Sequence, residues 1–258
     1  MSYFLSSLPP WELVLLVVVL PTALAVVAQA LIHNWVGTEW LAKNNEIAGF
    51  KFATVGVIYA VLLAFTVIVV WEKFSAAESA VEQEAASIAA LFHYAEGAEP
   101  QAVALRAALV NYTTTAVREE WPAMAQESES RPAVRALDAV YDAAMSLGAA
   151  GTRETADMAE VFTQLDNITS ARRVRLHLAT GMVPGVVWGA LFASGFLTIG
   201  FTLFFGSENL AAQLSMTGIL SILVTLGLVV IISIDHPFTG PVSVRPDPLV
   251  TVLADRAP

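Results

Sequence analysis

The chain contains no cysteine among its 258 residues, and only 14% of them are charged. The first absence excludes a disulfide framework, thiolate nucleophiles, iron–sulfur clusters and cysteine-rich zinc sites. The second is a real deficit, because soluble domains carry about 25% charged residues. Basic side chains are scarcer than acidic ones, 13 against 23, which gives a net charge of −10. That balance argues against a nucleic-acid partner. The histidines, His33, His93, His177 and His236, stand apart, with no i, i+4 pair and no H-E-x-x-H spacing, so nothing clusters as metal ligands. Walker loops, G-x-G-x-x-G and G-x-S-x-G are also missing, and the sequence therefore predicts no enzymatic activity, metal or cofactor.

What is present is apolar. Hydrophobic residues make up 56% of the chain, and the mean hydropathy is +0.65. A helix needs roughly 20 mostly apolar residues to cross about 30 Å of hydrocarbon. Stretches near Leu13–Ile32, Phe50–Trp71, Val183–Gly206 and Ala212–Ile234 meet that requirement. The first has an A-x-A cleavage pattern at Ala28-Gln29-Ala30, but no basic residue precedes Lys43, so it is expected to be a retained span. The expected fold is all-α: an integral membrane protein with four transmembrane helices and a cytoplasmic antiparallel helical-bundle insert between spans 2 and 3. Its expected domains are residues 1–72, 73–182, 183–234 and 235–258.

Orientation follows from the basic residues near the span ends. Lys73, Arg172, Arg173, Arg175, Arg245 and Arg256 fall on one side, and only Lys43 and Lys51 on the other. The termini and the insert are therefore expected in the cytoplasm. Within the insert the apolar spacing is helical throughout. Phe74, Ala77, Val81, Ile88, Leu91 and Ala95 form a stripe that Glu84 interrupts, continuing the second span as one helix to about Glu96. A second helix, starting near Pro100, has Val103, Ala107, Val110, Thr114, Val117, Trp121 and Met124 as its seam. A third follows Pro132, with Val134, Leu137, Tyr141 and Met145. A fourth, from Thr152, carries Met158, Val161, Leu165, Ile168 and Leu176 into the third span.

Transport chemistry usually places ionisable residues near the bilayer midplane. The middles of all these spans lack them, which argues against a pump or coupled carrier. A pore with apolar, hydroxyl-bearing walls stays open, because hydrophobic constrictions can gate by dewetting. On the second span, Phe52, Tyr59, Thr66 and Lys73 recur every seven residues, flanked by Leu62, Leu63 and Val70. This face either lines such a pore or makes ordinary packing and hydrogen bonds inside one subunit. On the third span, Gly181, Gly185, Gly189 and Ala193 form a small-xxx-small ladder, and Thr217, Ser221 and Thr225 do the same on the fourth. Both predict helix–helix interfaces, within or between subunits. After the fourth span, Asp235 either pairs with Arg172, Arg173 or Arg175 or forms a solvated helix end.

Three stretches carry a resemblance. Trp71-x-x-Phe74 runs into Ala77, Val81, Glu84 and Ala85; Arg172-Arg173-x-Arg175 leads into the third span; and Asp235-His236-Pro237-Phe238-Thr239-Gly240 fits a D-x-P-F-x-G pattern. In these the chain resembles the bacterial bestrophin-like family. The resemblance implies an oligomeric ion channel of the inner membrane whose second membrane helix lines a pore with an apolar neck. It implies the lipid bilayer, inorganic ions and further copies of the chain as partners, with a pentamer suggested by that analogy alone. No counterpart of the acidic calcium-binding loop of animal bestrophins is present, so calcium gating is not implied. The insert from Lys73 to Thr180 holds 9 basic and 15 acidic residues, and such a vestibule would enrich cations. The other expectation is a non-conducting scaffold or sensor whose helical insert docks a partner.

Overall fold

The computed structural model describes residues 2–36, 41–43, 45–97, 102–149, 155–181 and 183–256. Among these the regular elements are all helices. The helix starts expected near Pro100 and Thr152 and the domain limit at Met182 lie outside the described residues. Four helices are long and apolar enough to cross a membrane: Pro10–Val36, Asn45–Glu96, Gly185–Phe204 and Leu210–Ile234. The chain folds as two units, Met1–Glu72 with Gly181–Asp235, and Lys73–Thr180 with His236–Pro258.

The first unit holds a short helix α1 (Ser2–Ser6), α2 (Pro10–Val36), the first part of α3 (Asn45–Gly97), α7 (Gly185–Phe201) and α8 (Leu210–Ile234). Hydrocarbon offers the backbone no partners, so each apolar segment satisfies its own as a helix. Asn209 starts α8, its side-chain oxygen accepting from the Ala212 N–H at 3.1 Å. α8 packs on α1, α2 and α7. Its hydroxyl ladder faces α2, where Thr22 Oγ1 donates to Ser221 Oγ at 3.1 Å and Thr217 Oγ1 donates to Gln29 Oε1 at 3.4 Å. The outer surface of the unit is apolar, with Phe50, Phe65, Phe196 and Leu223 exposed. A soluble protein rarely leaves so much apolar surface in water.

α3 runs 53 residues without a break, about 80 Å at 1.5 Å per residue. Neither glycine nor proline interrupts it between Gly56 and Gly97. Its second part, from Lys73, belongs to the other unit, together with α4 (residues 103–124), α5 (Arg131–Ala149), α6 (Thr155–Leu178) and α9 (Asp247–Arg256). Ile88, Phe92, Leu109, Val140, Leu165 and Leu249 share its buried core. Leu249 brings α9, beyond the last span, into this core.

The seam expected for α4 is corrected in its first turns only, since Val110, Val117 and Trp121 pack on the core and Met124 is buried. Val103 and Ala107 are exposed, and the buried face carries Leu105, Leu109, Tyr112 and Ala116. Burying leucine and tyrosine removes more apolar area from water than burying alanine and valine. α4 also contains a π-helical turn, Ala116–Glu120, whose wider winding brings Glu120 and Met124 onto the same buried side.

Candidate functional site

Of the α3 face expected to line a pore, Tyr59, Thr66 and Val70 are buried and Phe52, Leu62 and Leu63 half-buried in the first unit. Tyr59 is 5% exposed, and its hydroxyl donates to the Val224 carbonyl of α8 at 2.9 Å. Phe52 packs its ring on Phe201 and Phe205, with centroids 5.9 and 5.6 Å away. Leu63 fills the space that a side chain at Gly227 would need, its Cδ2 lying 2.5 Å from the Cβ that an alanine there would carry. Thr66, 7% exposed, bonds its own helix at the Leu62 carbonyl, and Val70 is fully buried. Leu62 and Lys73 are half-buried. Tyr59, Thr66 and Val70 are thus enclosed by their own subunit, half-buried Phe52 and Leu63 touch its other helices, and Leu62 is partly open. Lys73 opens the second unit on the same stripe.

The opposite face of α3 is free. Val57, Val61, Ala64 and Ile68 are exposed at a spacing of three or four residues. The same stripe continues through Ser75, Ser79 and Glu82, also exposed.

The glycine ladder is likewise redrawn. Pro184 stands immediately before α7, so Gly181 lies outside the helix. Gly185, Gly189 and Ala193 face away from the unit, and a Cβ at Gly185 or Gly189 would meet nothing within 4 Å. The glycine that does pack inside is Gly195, whose Cβ position lies 3.5 Å from the Tyr59 ring and from Val224. Ser221 packs inside too, through Thr22.

In the second unit the residues of the resembling stretches build a buried charge cluster. Arg175 is fully buried, and its Nε donates to Glu84 Oε2 at 2.9 Å while Nη2 donates to Glu84 Oε1 at 3.1 Å and to Glu120 Oε2 at 2.8 Å. Arg172 donates to Glu120 Oε1 at 2.5 Å and to Glu129 Oε1 at 3.0 Å. The Tyr112 hydroxyl closes the set, donating to Glu84 Oε1 at 2.6 Å. Arg175 also lies over the Trp121 ring, 4.6 Å from its centroid. Two guanidinium groups and the two enclosed carboxylates cancel in charge, as a dry interior demands. Burial pushes the Tyr112 hydroxyl well above its ordinary 10.0, and the neighbouring Glu84 charge adds to the rise. For Arg175, burial acts to lower the pKa, but Glu84, Tyr112 and Glu120 more than reverse it. Both groups therefore keep their protons. Arg173, between the two buried arginines, is exposed.

Glu120, Tyr112 and Glu129 were not marked by the sequence as members of any site. The usable signal was Glu84 itself, a carboxylate in an apolar stripe, which requires a buried partner.

Asp235 ends α8 and is buried rather than solvated. Its Oδ1 accepts from the Val183 N–H at 2.9 Å, just ahead of α7. Beyond it, His236 is 1% exposed, with Nε2 3.1 Å from Glu127 Oε1. Phe238 meets the Trp121 ring edge-on at 5.8 Å, and Thr239 Oγ1 donates to the Ala125 carbonyl at 3.1 Å. Pro237 is buried, its carbonyl accepting from the Val244 N–H at 2.7 Å. The turn between them passes through Gly240 at φ 85°, a left-handed conformation that a side chain would strain. Of the first resembling stretch, Trp71 is exposed on α3 and Phe74 is buried.

Four spanning helices in one unit and an all-helical second unit define an integral, multi-span membrane protein. The chain belongs to the Bestrophin-like family: the sequence model of the Bestrophin-like domain matches residues 19–249. Solved structures of a bacterial bestrophin homologue from Klebsiella pneumoniae are similar in fold. One variant of it is 15% identical with a TM-score of 0.74, covering 92% of this chain and 96% of that one. Another crystal form, phased with zinc, is 15% identical with a TM-score of 0.72, covering 91% and 95%. No curated protein matches the chain in sequence.

Proposed function

We propose that the chain is one subunit of a homo-oligomeric ion channel of the bacterial inner membrane, with its termini and helical insert on the cytoplasmic side. The observation that carries this reading is the division of α3 into two faces. One face is consumed by packing within the subunit, at Tyr59, Leu63 and Val70. The other presents Val57, Val61, Ala64 and Ile68 and then Ser75, Ser79 and Glu82 along one line. Arranged around an axis, the first four form an apolar neck that passes ions when wetted and stops them when dry. The hydroxyls and Glu82 below supply a polar, acidic exit that favours cations. The second copy is argued from Gly185, Gly189 and Ala193, a close-packing ladder that this subunit leaves uncovered. The arginines before the third span support a cytoplasmic insert by the positive-inside rule.

The test is ion flux through purified protein in liposomes, comparing the native chain with Val61→Ser, Ile68→Ser and Leu63→Ala. Serine at either exposed position eases wetting of the neck and raises flux, while Leu63→Ala lowers stability and leaves selectivity unaltered. Reversal potentials that follow chloride would overturn the cation preference. Absence of flux from folded, oligomeric protein would overturn the channel and favour a scaffold whose insert docks a partner.

A further inference from the structure

We infer that the α4 turn around Glu120 and Trp121 positions the pore helix, because every chain segment leading from the second unit into the spans is fastened to it. This rests on the channel reading, in which α3 is the pore helix.

The chain crosses between the units after Glu72, before Gly181 and after Asp235. Glu84, on α3 just past the first crossing, holds Arg175, which also holds Glu120. Arg172 and Arg175, just before the second crossing, bind Glu120 by ion pairs, and Arg175 also lies over the Trp121 ring. Directly after the third, Phe238 packs on Trp121, Thr239 bonds Ala125 and His236 meets Glu127. Trp121 Nε1 donates further along the same segment, to the Val244 carbonyl at 3.1 Å. Residues 116–127 thus hold the second and third segments directly, and α3 through Arg175, with Tyr112 of the same helix on Glu84.

The local geometry is unusual on both sides of that point. The π-helical turn Ala116–Glu120 precedes Trp121, and Glu127 is a non-glycine residue with positive φ, 56°. π-turns are rare and recur at functional positions. Stability does not require the ion pairs, since replacing a buried pair by apolar groups of similar size is often neutral or favourable. Their particular property is directional: the planar guanidinium of Arg175 meets Glu84 with two nitrogens and Glu120 with a further N–H, so the cluster favours one register of α3 against α6.

The experiment uses the full chain in planar bilayers under a potassium chloride gradient. The double variant Glu84→Gln/Arg175→Met removes the pair without stranding a charge, and Tyr112→Phe removes only the hydroxyl on Glu84. Because the chain has no cysteine, nitroxide labels at Ser75→Cys and Ser170→Cys report the α3–α6 spacing directly. The expected result is a change in open probability of at least about fivefold, the lower range of allosteric coupling. Unit conductance stays constant and the label distances broaden. A loss of fold alone would reduce the number of channels and leave open probability per channel intact. Unchanged open probability in assembled double variant overturns the inference, whatever the labels show. If the double variant does not assemble, Tyr112→Phe decides by the same criteria. If the native protein passes no current, the channel reading fails, and the labels alone decide: broadened distances uphold positioning of α3, and unchanged distances overturn it.

Discussion

Arg175 and Glu84 lie 91 residues apart in sequence and meet as a fully buried ion pair at 2.9 Å. Removing one partner strands the other in a medium that cannot solvate it. Glu84→Gln is expected to destabilise the second unit by about 3–5 kcal/mol, whereas Glu84→Gln with Arg175→Met costs far less. Thermal unfolding followed by tryptophan fluorescence in detergent compares them. A single variant as stable as the native chain would show that the pair is not enclosed.

Tyr112 predicts the alkaline behaviour of the same region. Its folded pKa lies well above the 10.0 of a free tyrosine, through burial first and Glu84 second. As the pH rises past 10.0 the unfolded chain gives up this proton while the folded one keeps it, so stability falls with rising pH. Tyr112→Phe, which has no proton to lose, loses stability less steeply. Unfolding measured from neutral to alkaline pH checks the slope, and a steeper fall in the phenylalanine variant would contradict it.

Gly227 and Leu63 make a second, wholly apolar prediction. An alanine Cβ at Gly227 would come within 2.5 Å of Leu63 Cδ2 and 3.3 Å of its Cγ. Gly227→Ala is expected to cost about 1–3 kcal/mol by overpacking. Adding Leu63→Ala relieves the clash, so the double variant is more stable than the sum of the two single effects allows. A double-variant cycle on thermal stability reads the coupling, and strict additivity would refute the contact.

Self-association is tested at Gly189. No atom lies within 4 Å of its Cβ position, so the subunit tolerates a larger residue there. Gly189→Leu is expected to keep the helical fold and to lower the oligomer mass seen by light scattering after size exclusion. An unchanged mass would place the subunit interface elsewhere.

Much of this fold was legible in the sequence. The spans stand out because about 20 consecutive apolar residues have few other uses. The length of α3 was legible because Gly56 and Gly97 enclose a run without glycine or proline. Its stripe Phe74, Ala77, Val81, Ile88, Leu91 and Ala95 is buried throughout, because in water only one side of a helix is apolar. The same logic failed on the membrane part of α3. There both faces are mostly apolar, so periodicity alone carries no sign of inside or outside; only the hydroxyl of Tyr59, which needs a buried partner, marked its face. In the first part of α4 both candidate stripes are apolar, and only packing chose Leu105 and Leu109 over Val103 and Ala107.

The sequence by itself determined the class of protein, its family and the four helices long and apolar enough to cross a bilayer, since hydrophobic length and spacing are local properties, but it did not mark α9. Only the tertiary structure decided which face of α3 is free and which acids answer the arginines. Glu84, Glu120 and Arg175 come from three separate helices, and a buried charge selects its partner by distance in space, about which order along the chain says nothing.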